Sequence, residues 1–467
     1  MDLNEYSAED ATGLAALIRA KQVSPGEVLD AAMGAINAAN PELNAVVRIM
    51  EDSARVAVAG GPPTGPLGGV PFLVKDLGVD VAGTVTTNGS RLFADAPPAP
   101  ADSELVARYR RAGLVLVGRS NTPEFGLTPT TEPALFGPTR NPHDPGRSPG
   151  GSSGGAAAAV ASGMVPAAHA SDGGGSIRIP ASCCGLFGMK PTRGRVTLAP
   201  DRGEGWAGMS TNHAVTRTVR DSATLLDAVS APAPGDPYWA PPPAGTFLDA
   251  AGRDPGPLRV GLCVTAANGS SVDPQCRAAA EATARRLEGL GHRVQEVRWP
   301  FGPELVAAAQ VGVIGANVAA AVQARLAELG RPRRDGDLEP VTAAIVDWGA
   351  LTGAVDYVNA VASIHRIGRL MGGLFETIDV LVTPTLACLP PELGTVGGTD
   401  VMRFADTVAP LVAFTSVINM SGQPAMSLPL DRSDGGLPLG TQIVGRFGEE
   451  TTLFRLAGQM ERAHPWT

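Results

Sequence analysis

Two clusters of glycine and serine, separated by an alanine-rich run, constrain the fold of this chain more than any other feature. The first cluster is GGSSGG at residues 150–155, and the second is DGGGS at residues 172–176. The run between them predicts a helix followed by a strand, so each cluster lies at the end of a regular element. Glycine at such places allows close backbone approach, and adjacent N–H groups can converge on a developing oxyanion. A serine in such a turn is a candidate nucleophile.

A phosphate-binding loop and a flexible linker account less well for these glycines. A phosphate-binding loop needs GxxxxGK[ST] or GxGxxG between a strand and a helix, and neither cluster fits these patterns. A flexible linker does not agree with the helix and strand pattern that holds both clusters in place.

Strand-like and helix-like segments alternate along the chain, which predicts an α/β fold with a large central mixed β-sheet surrounded by α-helices. Ser24 is a predicted N-cap, with Pro25 in the first turn and Glu27 completing a capping box. We expect one domain over residues 1–467, because strand material lies on both sides of the proline-rich segment 230–247. The expected strands fall within 68–83 and at 114–118, 258–264, 378–385, 423–430 and 440–446, and expected helices include 8–20, 274–290 and 449–462.

Composition excludes several classes of function. The formal net charge of −9 and the lack of a basic patch argue against nucleic-acid binding. The N-terminal segment lacks the basic start and apolar run of a signal peptide, and we expect no transmembrane helix. Five cysteines without a CxxC pair favour free thiols in a reducing cytoplasm, and no histidine cluster predicts a metal site.

The serine needs a base, and the sequence offers two candidates. His169 lies in the alanine-rich stretch, but its position in a predicted strand favours a structural role. Lys75 directly follows the apolar strand VPFLV. Burial lowers the pKa of a lysine, so Lys75 is the better candidate base.

Taken together, the motifs resemble the amidase signature family of serine hydrolases. The resemblance is carried by GVPFLVKD, by SPGGSSGG leading into SDGGGSIRIPASCCGLFGMKPTRGR, and by IDVLVTPT, NMSGQPAMSLP and GTQIVGRFGEE. These segments occur in order over most of the chain, and the match is weak only from about 230 to 370. The resemblance implies that this variable region covers the substrate.

The resemblance also implies a Ser–cis-Ser–Lys triad that needs no metal or cofactor. Ser176 would be the nucleophile, Ser152 the bridging serine after a cis bond from Gly151, and Lys75 the base. The implied oxyanion donors are the backbone N–H groups of Gly173, Gly174, Gly175 and Ser176. The implied supporting residues around the nucleophile are Asp172, Arg178, Ser153 and Gly151. Cys183 and Cys184 stand at small or apolar family positions, so neither is expected to be catalytic.

The acyl pocket of the family is usually lined by the loop after PEFG, with segments 300–370 and 395–420 on the other side. The implied substrate-binding residues of this loop are Gly126, Leu127, Thr128, Thr130 and Thr131. Few charges occur in the loop, which favours an uncharged acyl group. The wording HASDGGGSIRIPAS is similar to bacterial amidases related to aminohexanoate cyclic-dimer hydrolase, whereas HASD and Gly173 depart from the commoner LGTD and Thr or Ile.

The sequence therefore predicts an amidase that cleaves the C–N bond of small uncharged amides through an acyl-enzyme. Alternatives on the same triad are hydrolysis of aryl carbamates, anilides or cyclic oligoamides, with esters as further substrates, and the A subunit of a tRNA-dependent amidotransferase. A non-catalytic binding protein is disfavoured because Lys75, Ser152 and Ser176 are all present. The expected partners are the substrate and water, with no nucleic acid and no membrane, and a homodimer is a candidate assembly.

Overall fold

The computed structural model describes residues 1–61, 63–397 and 401–466. Eleven described strands form one mixed sheet in the order β1-β3-β2-β4-β6-β5-β10-β11-β9-β7-β8. The strands are β1 (Val46–Ile49), β2 (Pro71–Lys75), β3 (Val115–Ser120), β4 (Ala167–Asp172), β5 (Phe187–Lys190), β6 (Thr211–Thr216), β7 (Arg259–Leu262), β8 (Arg293–Glu296), β9 (Val380–Pro384), β10 (Ala425–Arg432) and β11 (Pro438–Gly445).

Helices surround this sheet, which confirms the predicted fold class. The α-helices are α1 (Leu3–Ala8), α2 (Ala11–Arg19), α3 (Pro25–Leu43), α4 (Glu51–Ala59), α5 (Glu104–Arg111), α6 (Gly154–Ala161), α7 (Arg178–Cys184), α8 (Val219–Val229), α9 (Phe247–Ala251), α10 (Pro274–Gly289), α11 (Pro303–Glu328), α12 (Pro340–Ala350), α13 (Ala354–Leu374), α14 (Val401–Val412), α15 (Ser416–Ser421) and α16 (Glu450–Ala463), and 3₁₀ turns lie at Arg91–Phe93 and Glu124–Gly126. The variable region 230–370 contributes β7 and β8 to the sheet. The single-domain organisation stays a prediction.

Parallel pairing brings three strand ends to one edge of the sheet. β2 lies between β3 and β4 and runs parallel to both. The carboxyl ends of these strands, at Ser120, Lys75 and Asp172, therefore lie at the same edge, where α/β proteins commonly bind ligands. β6 is antiparallel to β4 with Asn212 opposite Ser171, so its first residues join this edge.

The alanine-rich run forms α6, a helix that is buried on every side. All residues from Gly154 to Val160 are buried. A Cβ atom added to Gly155 would lie 2.4 Å from the backbone nitrogen of Asn121, so only glycine permits this approach. The small side chains of α6 thus place the first glycine cluster against the sheet.

Local sequence patterns predicted some helix ends correctly and others wrongly. Ser24 caps α3 as predicted, since Ser24 Oγ accepts from the N–H of Glu27 and the Glu27 carboxylate accepts from the N–H of Ser24. The expected helix 8–20 is wrong in its start, because α1 ends at Ala8 and Asp10 caps a separate helix by accepting from the N–H of Gly13.

Helix α11 is long and apolar enough to cross a membrane, judged by length and composition alone, whereas no transmembrane helix was expected from the sequence. Polar residues such as Asn317 interrupt its apolar run. In the fold, α11 packs against α12 and α13, and Val313, Val318 and Val322 are buried. Core helices of soluble proteins pass the same test of length and composition.

Candidate active site

Lys75 ends β2 at the edge formed by the parallel strands and is completely buried. Three serine hydroxyls surround its amine. Lys75 Nζ lies 2.7 Å from Ser152 Oγ, 2.9 Å from Ser153 Oγ and 3.0 Å from Ser171 Oγ. No carboxylate among the described residues forms an ion pair with this lysine. The amine is therefore held by neutral groups only.

Burial lowers the pKa of Lys75 to about 7, against a smaller opposite effect of the Asp172 carboxylate. Removing an ammonium group from water disfavours its charged form. A large neutral fraction of Lys75 is thus available near neutral pH, as a general base requires.

The peptide bond between Gly151 and Ser152 is cis, the geometry that the family resemblance implies. The residues of the PEFG loop support this turn from behind. A Cβ atom on Gly151 would lie 2.4 Å from Thr130 O, and Thr131 Oγ1 donates to Gly150 O at 2.9 Å. Thr131 Oγ1 also accepts from the N–H of Gly154.

This arrangement corrects part of the expected substrate-binding set. Of the predicted loop residues, Gly126 lines the cavity described below. Thr130 and Thr131 are buried behind the turn, and the Thr128 hydroxyl donates to Thr130 O. Leu127 does not line the cavity itself but packs against an apolar cluster that includes Phe125 and Val318, which do line it. Sequence position alone could not separate the lining residue from its support, because all five share one loop.

A buried ion pair holds the second glycine cluster. Arg178 and Asp172 are fully buried, and Arg178 Nη2 lies 2.9 Å from Asp172 Oδ1. Burial acts most strongly and raises the pKa of Asp172, but the charge and hydrogen bonds of Arg178, together with Lys190 and Asn419, outweigh burial and hold the pKa at about 2. The Asp172 carboxylate accepts from the N–H groups of Gly175 and Ile177, which flank Ser176. The ion pair therefore fixes the turn that carries Ser176.

The same contacts reduce the set of predicted oxyanion donors. The N–H of Gly175 donates to Asp172 Oδ1 at 2.7 Å, so this group is occupied by the carboxylate. The N–H groups of Gly173, Gly174 and Ser176 have no acceptor among the described residues. These three amides are the remaining candidate donors.

Ser152, Ser171 and Ser176 all line one cavity of about 460 Å³. Its wall combines apolar side chains, neutral polar side chains and four charged residues. The residues lining the cavity are Leu77, Gly78, Asn88, Phe93, Phe125, Gly126, Ser152, Ser171, Gly173, Ser176, Leu198, Arg202, Glu204, Gly205, Trp206, Ser210, Asn212, Asn317, Val318, Ala321, Ala324, Arg325 and Glu328. Of the segments expected opposite the loop, α11 lines the cavity, whereas no described residue of 395–420 does; residues 398–400 lie outside the described residues.

His169, Cys183 and Cys184 do not line the cavity. His169 is buried in β4, where its Nδ1 accepts from the N–H of Lys75 and its Nε2 lies 3.2 Å from Asn212 Oδ1. Burial raises the pKa of the Cys183 and Cys184 thiols far from the neutral range. These side chains therefore do not offer the base or the thiolate of a hydrolase.

A protein-family model described as Amidase matches residues 27–454, which is most of the chain. The chain belongs to the amidase signature family. It is 38% identical to the 6-aminohexanoate-cyclic-dimer hydrolase of Paenarthrobacter ureafaciens over 472 aligned residues, which cover 98% of this chain and 95% of the relative. These matches confirm the predicted family and the prediction that the chain is an enzyme that acts on C–N bonds.

Solved structures of the family agree with this fold. The structure of a 6-aminohexanoate cyclic dimer hydrolase matches with a TM-score of 0.94 and 36% identity, covering 100% of this chain and 98% of the other. A bacterial aryl acylamidase of the amidase signature family matches with a TM-score of 0.90 and 30% identity, covering 98% and 96%.

Two residues of this amidase site escaped the sequence analysis. Ser171 supplies the third hydroxyl around Lys75, and Asn212 joins the cavity wall from β6. Ser171 precedes Asp172 in HASD, which offered a weak local signal. Asn212 had none, because strand pairing alone brings β6 beside β4.

Proposed function

We propose that this amidase hydrolyses small uncharged amides, with Ser176 as nucleophile, Ser152 as proton relay and Lys75 as base. One observation carries the proposal: the buried Lys75 amine lies 2.7 Å from the hydroxyl of Ser152, and Ser152 shares its cavity with Ser176. A weak nucleophile such as serine needs a base of this kind within reach.

The surroundings of Lys75 suit a neutral amine, which carries two N–H bonds and one lone pair. The Ser153 hydroxyl donates to Ser171 O, so it accepts from Lys75. Ser171 Oγ can accept the second N–H. The lone pair of Lys75 is then directed at Ser152, whose O–H can donate to it.

These groups account for each proton transfer in the reaction. Lys75 takes the proton of Ser152 while Ser152 takes that of Ser176, and Ser176 Oγ forms a bond to the carbonyl carbon. The free N–H groups of Gly173, Gly174 and Ser176 stabilise the oxyanion, and one such donor contributes about 3 kcal/mol. When the C–N bond breaks, the proton returns through Ser152 to the leaving nitrogen. Water then cleaves the acyl-enzyme by the same route.

The names of the relatives support anilides and cyclic oligoamides as substrate types. One relative is a cyclic dimer hydrolase and another is an aryl acylamidase. The cavity of about 460 Å³ falls in the range of small-molecule sites. Aryl carbamates and esters present the same carbonyl to Ser176 and extend the proposal. A homodimer and a cytoplasmic location stay predictions.

Two measurements test this function. A fluorophosphonate should label Ser176, and the Ser176→Ala variant should remain unlabelled; an adduct on Ser153 instead would contradict the assignment. The purified chain should also hydrolyse members of a panel of p-nitroanilides, primary amides, aryl carbamates and cyclic oligoamides. Release of ammonia from glutamine alone would indicate an amidotransferase subunit instead.

A further inference from the structure

His169 connects the backbone of the candidate base to the cavity wall. Its Nδ1 lies 3.2 Å from the backbone nitrogen of Lys75, and its Nε2 lies 3.2 Å from Asn212 Oδ1. Both His169 and Asn212 are buried. Asn212 also lines the cavity that contains Ser152 and Ser176.

The tautomer of His169 follows from these contacts. A backbone N–H can only donate, so Nδ1 must accept and carries no proton. Burial lowers the pKa of His169 to about 3, which keeps the ring neutral. A neutral ring then bears its proton on Nε2 and donates to Asn212 Oδ1.

This chain of bonds fixes the orientation of the Asn212 amide. With Oδ1 held by His169, the Nδ2 group occupies the other arm of the planar amide, and no described residue accepts a hydrogen bond from it. We propose that Asn212 is a substrate-specificity residue, whose Nδ2–H donates to a second carbonyl oxygen of the substrate, outside the bond that is cleaved. His169 is the positioning residue that orients it. This inference rests on the proposed amide hydrolysis.

A neutral acceptor fits this position better than a carboxylate. A buried carboxylate needs a cation or several donors. The lysine at this edge must be neutral to act as base, and Arg325 is already paired with Asp95 and Glu328. Arg202, the other arginine of the cavity wall, is exposed to solvent, which screens its charge. A ketone or amide carbonyl needs only the donor that Asn212 provides. The preferred substrates are thus amides with a second carbonyl group.

Binding to the Ser176→Ala variant tests the inference without turnover. Calorimetry would compare N-(4-ethylphenyl)hexanamide with two analogues in which one CH₂ group is replaced by a ketone C=O, N-(4-acetylphenyl)hexanamide and N-(4-ethylphenyl)-5-oxohexanamide. These place the second carbonyl on either side of the scissile bond. We expect at least one ketone to bind about tenfold more tightly than the ethyl reference. Equal affinities for all three compounds would refute the inference.

Three further variants, made in the Ser176→Ala background, test whether Asn212 and His169 cause the tighter binding of a ketone. In Asn212→Ala the ratio of affinities should fall to about one. His169→Asn keeps an acceptor for the N–H of Lys75 but has no donor for Asn212, so the ratio should fall. His169→Gln retains that donor and should retain the ratio. Thermal melting checks folding, and the histidine pair decides the matter if Asn212→Ala does not fold. A preserved ratio in Asn212→Ala, or the reverse order in the histidine pair, would refute the inference.

Turnover of all three amides by the unsubstituted chain is measured separately. Failure to hydrolyse any of the three amides would count against the proposed function, whereas the ratio of affinities decides the role of Asn212 in either case.

Discussion

The amine of Lys75 and the hydroxyl of Ser152 lie 2.7 Å apart, in a place where the lysine has no solvent exposure. The two residues are far apart in sequence, and the cis bond after Gly151 precedes the serine. Their contact links a base with a lowered pKa to the loop beside the nucleophile. The chemical role of this contact can be tested by substituting either Lys75 or Ser152.

We predict that kcat/KM falls with decreasing pH below about 7, because Lys75 gains a proton and loses its lone pair. On the alkaline side the rate should stay high until another group titrates. Lys75→Met should fold and be nearly inactive. Lys75→Arg should be equally inactive because a guanidinium stays protonated. Steady-state kinetics across pH measure the profile of the parent chain and the activity of the two variants. Substantial activity in Lys75→Arg would exclude Lys75 as base.

For Ser152→Ala we predict a loss of kcat of about 10²–10⁴-fold, the usual size of a general acid–base contribution. Folding should be retained, since the substitution removes one hydroxyl. Ser162→Ala is the matched control, because the Ser162 hydroxyl donates only within the region of α6, to Ala158 O and Ala159 O. A Ser152→Ala enzyme with the kcat of the control would reduce Ser152 to a structural residue.

Arg178→Met should lower the free energy of unfolding by about 3–5 kcal/mol, because it leaves the Asp172 carboxylate buried without its cation. Activity should fall as well, since Asp172 holds the turn around Ser176. Arg55→Met is the control: Arg55 pairs with Glu51 and Asp30 at the exposed surface, and its removal should change stability little. Urea unfolding compares the two, and equal effects would contradict the structural role of the buried pair.

Two neighbouring glycines should respond differently to alanine. Gly175 has a φ of +135°, and an added Cβ would lie 2.4 Å from Thr415 Oγ1. An added Cβ on Gly174 would meet nothing within 4 Å. We therefore expect Gly175→Ala to be destabilised and Gly174→Ala to keep a free energy of unfolding close to that of the parent chain. Denaturant unfolding tests this, and equal stability of the two variants would be the contrary result.

Strong local signals allowed parts of the fold to be predicted. Apolar runs placed β9, β10 and β11, and helix periodicity placed α10 and α16, each within two residues. The capping box at Ser24 marked the start of α3 because its bonds join near neighbours in sequence. The break between α1 and α2 was missed although its cap is local, with Asp10 accepting from the N–H of Gly13; the distant Arg220 also donates to the Asp10 carboxylate.

The sequence by itself determined the family, the class of reaction and the candidate triad, because residue type and spacing within short motifs carry that information. The tertiary structure alone decided which neighbours each group has. It assigned the N–H of Gly175 to Asp172, placed Thr130 and Thr131 behind the turn, and brought Asn212 to the cavity beside His169. These contacts depend on the order and register of strands in the sheet, and pairing between distant segments leaves no local pattern in the sequence.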